Sequence, residues 1–275
     1  MESSELLQRL QEGIATLTTS DAWIRWLDVQ RKFHKYSFGN TLLICLQRPD
    51  ARQVAGYRAW LNLGRHVRSG EKGIAIMAPI VRRVRVQNEE SDKVTVVTGS
   101  PRAFKVVHVF DVDQTDGDEL PQMPISPLAD DDPDLVSLRL LKVAAGIGFS
   151  VEFSEFADQR NGDCSHSDRR IRILQGLAPA MVCKTLSHEL AHALLHGDAF
   201  RGTREQAELE AESTAYLVTA NLGIDSSTYS FAYVASWAGG GPEAIRRIGE
   251  SGQRIVKAAQ AILGGPEELE GAEAA

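Results

Sequence analysis

The stretch SHELAHALLH, residues 187–196, carries two imidazoles and a carboxylate at a spacing that suits metal-assisted hydrolysis. His188 and His192 are four residues apart, so on a helix they share a face with Cβ atoms about 5–6 Å apart, and both rings can reach one tetrahedral zinc ion. Glu189 lies alongside, where a carboxylate can take a proton from a zinc-bound water. The flanking run MVCKTLSHELAHALLH is apolar enough for a buried helix, and a buried His-Glu-His trio carries a desolvation cost unless a cation compensates it. Hydrogen-bonded core histidines are the competing reading of the same residues.

A catalytic zinc keeps three protein ligands and one open position, so a third ligand must come from elsewhere. The residues after His192, ALLHGDAFRG, have no glycine-and-histidine extension at metzincin spacing. His196, one turn along the same face, would have to reach over His192, and a capping or core role suits it better. The next helical run, REQAELEAESTAYLV, offers Glu208, Glu210 and Glu212; the first and last share a face one turn apart, while Glu210 points away from both. Glu212 stands twenty residues after His192, the separation at which thermolysin-like enzymes, which this arrangement resembles, carry their glutamate ligand. That resemblance selects Glu212 and leaves Glu208 and Glu210 as alternatives. Zn2+ is the expected ion, although a His-His-Glu site accepts other divalent metals.

The elements that must position these groups are legible as patterns. Helical spacing over Leu6, Leu7, Leu10 and Ile14, then Trp23, Trp26 and Leu27, predicts two helices around a cap near Thr18–Asp21, followed by a third over Asn40–Leu46. The β-branched runs IAIMAPI, VRRVRV, KVTVVT and FKVVHVF predict a small antiparallel sheet. Residues 111–134 hold eight Asp, one Glu and four Pro and read as an exposed connector. Beyond them come a helix near Asp134–Ala145, strands near Phe149–Phe153 and Arg170–Leu174, the metal helix near Pro179–His196, and a helix near Arg204–Leu222. Two C-terminal helices over Pro242–Gly249 and Arg254–Leu263 precede a tail that reads as disordered. The hairpin NGDCSHSDRRIRIL leads into Arg170–Leu174, an edge strand able to pair with an extended peptide; a turn explains His166 and Cys164 as well as any site role does. Cys45, Cys164 and Cys183 lack the spacing of a disulfide framework or a cysteine metal site.

The net charge of −7 conceals two halves: residues 1–110 hold 17 basic and 10 acidic side chains, and residues 111–275 hold 13 and 27. An anionic partner for the first half follows. There Trp23, Trp26, Phe33, Tyr36, Phe38, Tyr57 and Trp60 interleave with Arg31, Lys32, Lys35, Arg58, Arg65, Arg68 and Lys72, the mixture that holds single-stranded nucleic acid by phosphate contacts and base stacking. Trp23, Trp26, Leu27 and Trp60 are assigned to the core; Arg31, Lys35, Tyr36, Phe38, Arg65, Arg68 and Lys72 are the expected DNA contacts. In VRRVRV, Arg83 and Arg85 share one face of a strand. No apolar run approaches the roughly 20 residues of a membrane span, and the first residues have no secretion signal, so a cytoplasmic protein is expected.

Two motif blocks carry a more specific resemblance. YSFGNTLLICLQRPDARQVAGYRAWLNLGRHVRSGEKGIAIMAPI, followed by VFDVDQTDG, resembles the single-stranded-DNA-binding domain of ArdC-type antirestriction proteins. SHELAHALLH and EAESTAYLV resemble the zincin-like metallopeptidase domain of that family, a relative of the ImmA/IrrE peptidases. The resemblance implies an α+β protein: N-terminal helices with a small antiparallel sheet at 1–112, an acidic Pro-containing linker at 113–133, a zincin-like domain at 134–265 and a tail at 266–275. It further implies a plasmid-borne protein that coats incoming single-stranded DNA, with His188, His192 and Glu212 on zinc, Glu189 as the base and a protein substrate. Tyr216, four residues after Glu212, stands where thermolysin-like enzymes place an aspartate that supports a ligand. Tyr216, Tyr229, Tyr233 and His166 are all available to stabilise an oxyanion. A non-catalytic DNA coat with a structural zinc, and a regulatory protease that cleaves a repressor, are the alternatives.

Overall fold

Three helices open the chain where apolar spacing predicts them: α1 (Ser3–Thr16), α2 (Ser20–Lys32) and α3 (Phe38–Gln47). The Thr19 hydroxyl caps α2 by accepting from the Ala22 N–H, which satisfies one orphaned amide of the first turn. The computed structural model describes residues 2–81, 83–87, 94–98, 103–120, 133–224 and 241–264. Packing divides the chain into two units, Met1–Gly13 with Leu42–Asp118, and Ile14–Thr41 with Glu119–Ala275. The serial division expected from sequence groups residues 14–41 with the first half. Packing groups them with the metal helix, because their large aromatic side chains are buried there.

In the first unit, β1 (Val54–Gly56), β6 (Ala103–Asp111) and β3 (Ile74–Ile80) form an antiparallel sheet in that order, and the short helix α4 (Tyr57–Asn62) follows β1. Leu6, Leu43 and Ala75 form its core with Leu10, Met77 and Val106. Gln47 joins α3 to the sheet by donating to the Ala75 carbonyl at 2.9 Å and accepting from the Ala75 N–H at 3.0 Å. The four β-branched runs do not share one sheet: among the described residues β4 (Arg83–Gln87) pairs with β5 (Val94–Thr98) alone, and β2 (Arg65–Val67) pairs with β7 (Thr115–Gly117).

The acidic connector also begins later than its composition implies. Asp111 is fully buried at the end of β6, where its carboxylate accepts from the amides of Arg52 and Gln53, both at 2.9 Å. With Gln114 it forms a capping box over a single 3-10 turn, and β7 follows. Gly117 closes this region at φ 135°; a Cβ there would meet the Gly64 carbonyl oxygen at 2.3 Å, so the β2–β7 pair requires glycine. Residues 121–132, the proline-rich remainder of the expected linker, and the tail from 265 onward lie outside the described residues.

The second unit builds the metal helix into a layered support. After α5 (Pro133–Gly146), strand β10 (Arg170–Leu174) pairs in parallel with β8 (Ser150–Ser154) and antiparallel with β9 (Gly162–Ser165). Arg170–Leu174 is therefore the central strand, with Ile171 and Ile173 fully buried, and the edge expected there belongs to β9 and β8 instead. Then follow α6 (Pro179–Leu195), α7 (Arg204–Asn221) and α8 (Gly241–Gly264). The two C-terminal helices expected from sequence are this one helix. Gly252 does not break it, because the absent side chain makes room for Phe38: a Cβ would lie 2.3 Å from the Phe38 ring. Trp26 packs edge-on against both Trp23 and Phe38, and the Trp23 indole donates to Ser213 on α7 at 2.9 Å. No described helix is long and apolar enough to cross a membrane.

Candidate metal centre

Helix α6 carries His188 and His192 on one face, as their spacing requires, and their Nε2 atoms lie 3.1 Å apart. The Glu208 carboxylate on α7 completes a triangle, with Oε2 at 3.4 Å from His188 Nε2 and 3.8 Å from His192 Nε2. Donor atoms bonded at about 2.0–2.1 Å around a tetrahedral ion stand ~3.4 Å from one another, so this triangle has the dimensions of one face of a coordination tetrahedron. Two imidazoles and a carboxylate also form a donor set that zinc and its first-row neighbours accept.

Glu212 occupies a different position. Its Oε2 lies 3.1 Å from Nδ1 of His188, the ring nitrogen on the side away from the triangle. Spacing alone cannot separate the two glutamates, which share a face of α7; the phase of that face against α6 brings Glu208 to the Nε2 atoms and Glu212 behind His188. Glu210, on the opposite side, is fully buried and faces His196.

The charges are set by this packing. Burial opposes protonation of His188, but hydrogen bonds to Glu208 and Glu212 prevail and push its pKa up to about 9. The same bonds from His188 and His192 hold Glu208 far below the usual carboxylate range. Glu189, 6% exposed, moves the other way: burial raises it, against the pull of His188 and His192. Its carboxylate lies against β9, where a Cβ on Gly162 would come within 3.0 Å of Oε1. Cys164 on the same strand is pushed up to about 12, first by burial and then by Glu189 and Asp163, which favours the protonated thiol.

Several neighbours have structural work instead. His166 Nε2 lies 3.1 Å from the His192 carbonyl oxygen, and its ring packs edge-on against Phe149, so it braces the end of α6. The Tyr216 hydroxyl donates to Asp28 on α2 at 2.6 Å. Tyr229 and Tyr233 lie outside the described residues.

Residues 4–110 match the family described as the N-terminal domain of the anti-restriction factor ArdC. That match covers about two fifths of the chain. Nearly the whole chain is similar to the crystal structure of antirestriction ArdC from the R388 plasmid. Against the metal-free form the TM-score is 0.54 at 20% identity, over 94% of this chain and 98% of that one. Against the Mn(II)-bound form it is 0.52 at 20% identity, over 96% and 97%. The ArdC fold is thus shared. An uncharacterized Bacillus anthracis protein is 24% identical over 302 residues, covering 95% of this chain and 51% of that protein, so the chain spans about half the length of this curated relative.

Within the region that matches the ArdC N-terminal model the expected DNA contacts fall into two groups. Phe38 is 2% exposed and locked against Trp26 and Gly252, with no face left for a base. Arg65 and Arg68 are also committed. The Arg65 guanidinium donates to the Thr115 hydroxyl and to the carbonyls of Thr115, Gly117 and Asp118, while Arg68 bonds Glu71, Asp116 and the Asp113 carbonyl; together they tie β2 to β7. Arg31 is exposed but pairs with Asp28 at 3.1 Å, Tyr36 is half-buried, and Lys35 and Lys72 are exposed. Of the seven interleaved aromatics Tyr57 is the exposed one, at 51%, beside the exposed Arg58 on α4. Sequence reasoning had no signal for this, since a six-residue helix is too short to show a face.

Proposed function

We propose that this chain is an antirestriction-type protein that binds single-stranded DNA and carries a divalent-metal-dependent peptidase centre. The triangle of His188, His192 and Glu208 beside a buried Glu189 carries this reading. The Mn(II) form of the R388 relative supports a divalent ion here, and a His-His-Glu donor set accommodates Zn2+ equally well. His188 Nε2, His192 Nε2 and Glu208 Oε2 would hold it; Glu212 orients His188 from behind.

When bound, the ion supplies a Lewis acid that polarises a carbonyl and acidifies a water. The remaining work falls to the chain. Glu189 accepts a proton at its carboxylate and passes it to the leaving amine, and burial brings its pKa closer to neutrality than an exposed glutamate allows. Edge strand β9 offers its backbone to an extended peptide, and glycine at 162 lets that strand run close against the Glu189 carboxylate. For the DNA, Tyr57 and Arg58 supply a stacking face and a cation, with Lys72 as a phosphate contact. Such a protein acts in the cytoplasm, where entering DNA meets restriction enzymes.

Replacement of Glu189 by Gln tests the peptidase reading, since it keeps the shape and leaves the three ligands intact. Cleavage of a mixed peptide library by the metal-loaded protein should fall by about 10²–10⁴-fold with the metal content unchanged. Undiminished cleavage would remove Glu189 from the mechanism.

A further inference from the structure

His196 stands one turn beyond His192 and outside the ligand triangle, yet it is bonded on both ring nitrogens. Its Nδ1 lies 2.9 Å from His192 Nδ1, and its Nε2 lies 3.2 Å from Glu210 Oε2. The side chain is 6% exposed and that of Glu210 is 0% exposed. A buried carboxylate persists as an anion only if donors surround it. Glu210 has four besides His196: the Arg254 Nε at 3.2 Å and one of its terminal nitrogens, Ser251 Oγ at 2.5 Å and Gln206 Nε2 at 3.0 Å.

These bonds fix the protons one after another. An ionised Glu210 only accepts, so His196 Nε2 must donate to it. A neutral His196 then presents a bare Nδ1, which accepts the proton on His192 Nδ1. His192 is left with an unprotonated Nε2 on the side of Glu208. His188 Nδ1 needs no such relay, because it donates to Glu212 directly.

We propose that His196 and Glu210 are positioning residues that hold His192 in its Nδ1–H tautomer and keep its Nε2 lone pair available to the cation. This rests on the metal-centre reading above. It assigns a purpose to the histidine that sequence reasoning left with a capping or core role, and to the glutamate on the opposite side of α7. Arg254 and Ser251 complete the chain from α8, so the last helix of the unit reaches the metal centre through three hydrogen-bonded steps.

The test uses the full chain, freed of metal and labelled with 15N at histidine. A two-bond proton–nitrogen correlation spectrum should show His192 protonated at Nδ1 and bare at Nε2, and His196 protonated at Nε2. Zn2+ affinity, measured by competition with a chromophoric chelator, should fall by about 10–100-fold in His196→Phe and in Glu210→Gln. His196→Gln, which keeps one acceptor and one donor, should bind more tightly than His196→Phe. A wild-type His192 protonated at Nε2 would overturn the proposal even if the variants fail to fold, and so would a folded His196→Phe that binds Zn2+ within twofold of wild type. A wild-type protein that binds no Zn2+ would instead sink the metal-centre reading, while the tautomer spectrum still judges the hydrogen-bonded chain.

Discussion

Acid should destabilise this fold through Glu210, and the size of the effect follows from its environment. The carboxyl moves from an ordinary 4.5 to about 2 on folding, with burial working against the change and the bonds from His196, Arg254 and Ser251 outweighing it. A depressed pKa contributes stability that is fully present above the unfolded value and disappears as the pH falls through the folded one. The window therefore runs from about pH 4.5 down to about pH 2. A shift of about 2.5 units corresponds to roughly 3 kcal/mol at 1.36 kcal/mol per unit, and full burial of the side chain leaves little to discount for solvent screening. Urea unfolding of the metal-free wild type and of Glu210→Gln, followed from pH 7 to pH 2, isolates this contribution from those of the other acids. The two proteins should differ by about 3 kcal/mol at pH 7, and the gap should close through the window as wild-type Glu210 takes up its proton. Parallel pH profiles would refute the reasoning, because they would mean that the charge on Glu210 does not matter to the fold.

Three further outcomes are expected. Glu208→Ala should weaken Zn2+ binding by about 10²–10³-fold, roughly one ligand's share of a structural site, whereas Glu212→Ala should cost about 10–100-fold; chelator competition ranks them, and the reverse order would restore Glu212 as the ligand. Arg65→Ala should lower the unfolding free energy by about 1–3 kcal/mol with little change in the salt slope of single-stranded DNA binding, while Tyr57→Ala should weaken that binding by about 1–3 kcal/mol with the thermal midpoint unchanged. Gly252→Ala should destabilise by about 1–3 kcal/mol through its clash with Phe38, read by chemical denaturation.

The helices were legible because 3.6-residue spacing is a local signal, and α1, α2, α5, α6 and α7 fall where it puts them. His188 and His192 were legible for the same reason, since four residues on a helix fix a shared face without reference to anything else. The identity of the third carboxylate was not, because Glu208 and Glu212 are equivalent until α7 is set against α6. Arg65, Arg68 and Phe38 illustrate a second limit. A cation on a Gly-rich turn and an aromatic after a basic run carry the composition of a nucleic-acid interface, but the same side chains serve equally well to tie two short strands together or to fill a gap opposite a glycine. Only the partners decide, and Thr115, Asp116 and Gly252 lie far along the chain from the residues they engage. Continuity of α8 was hidden for a related reason: Gly252 weakens a helix locally, and the packing that offsets this comes from Phe38.

In the proposed centre one divalent cation is gripped by His188 Nε2, His192 Nε2 and Glu208. Crystals of the full chain grown with Zn2+, with anomalous diffraction recorded on both sides of the zinc edge, test it most directly. A single strong peak about 2.0–2.2 Å from those three atoms, with Glu212 remaining on His188 Nδ1, is the predicted result. A peak bonded to Glu212, or no peak between the two imidazoles, would contradict it.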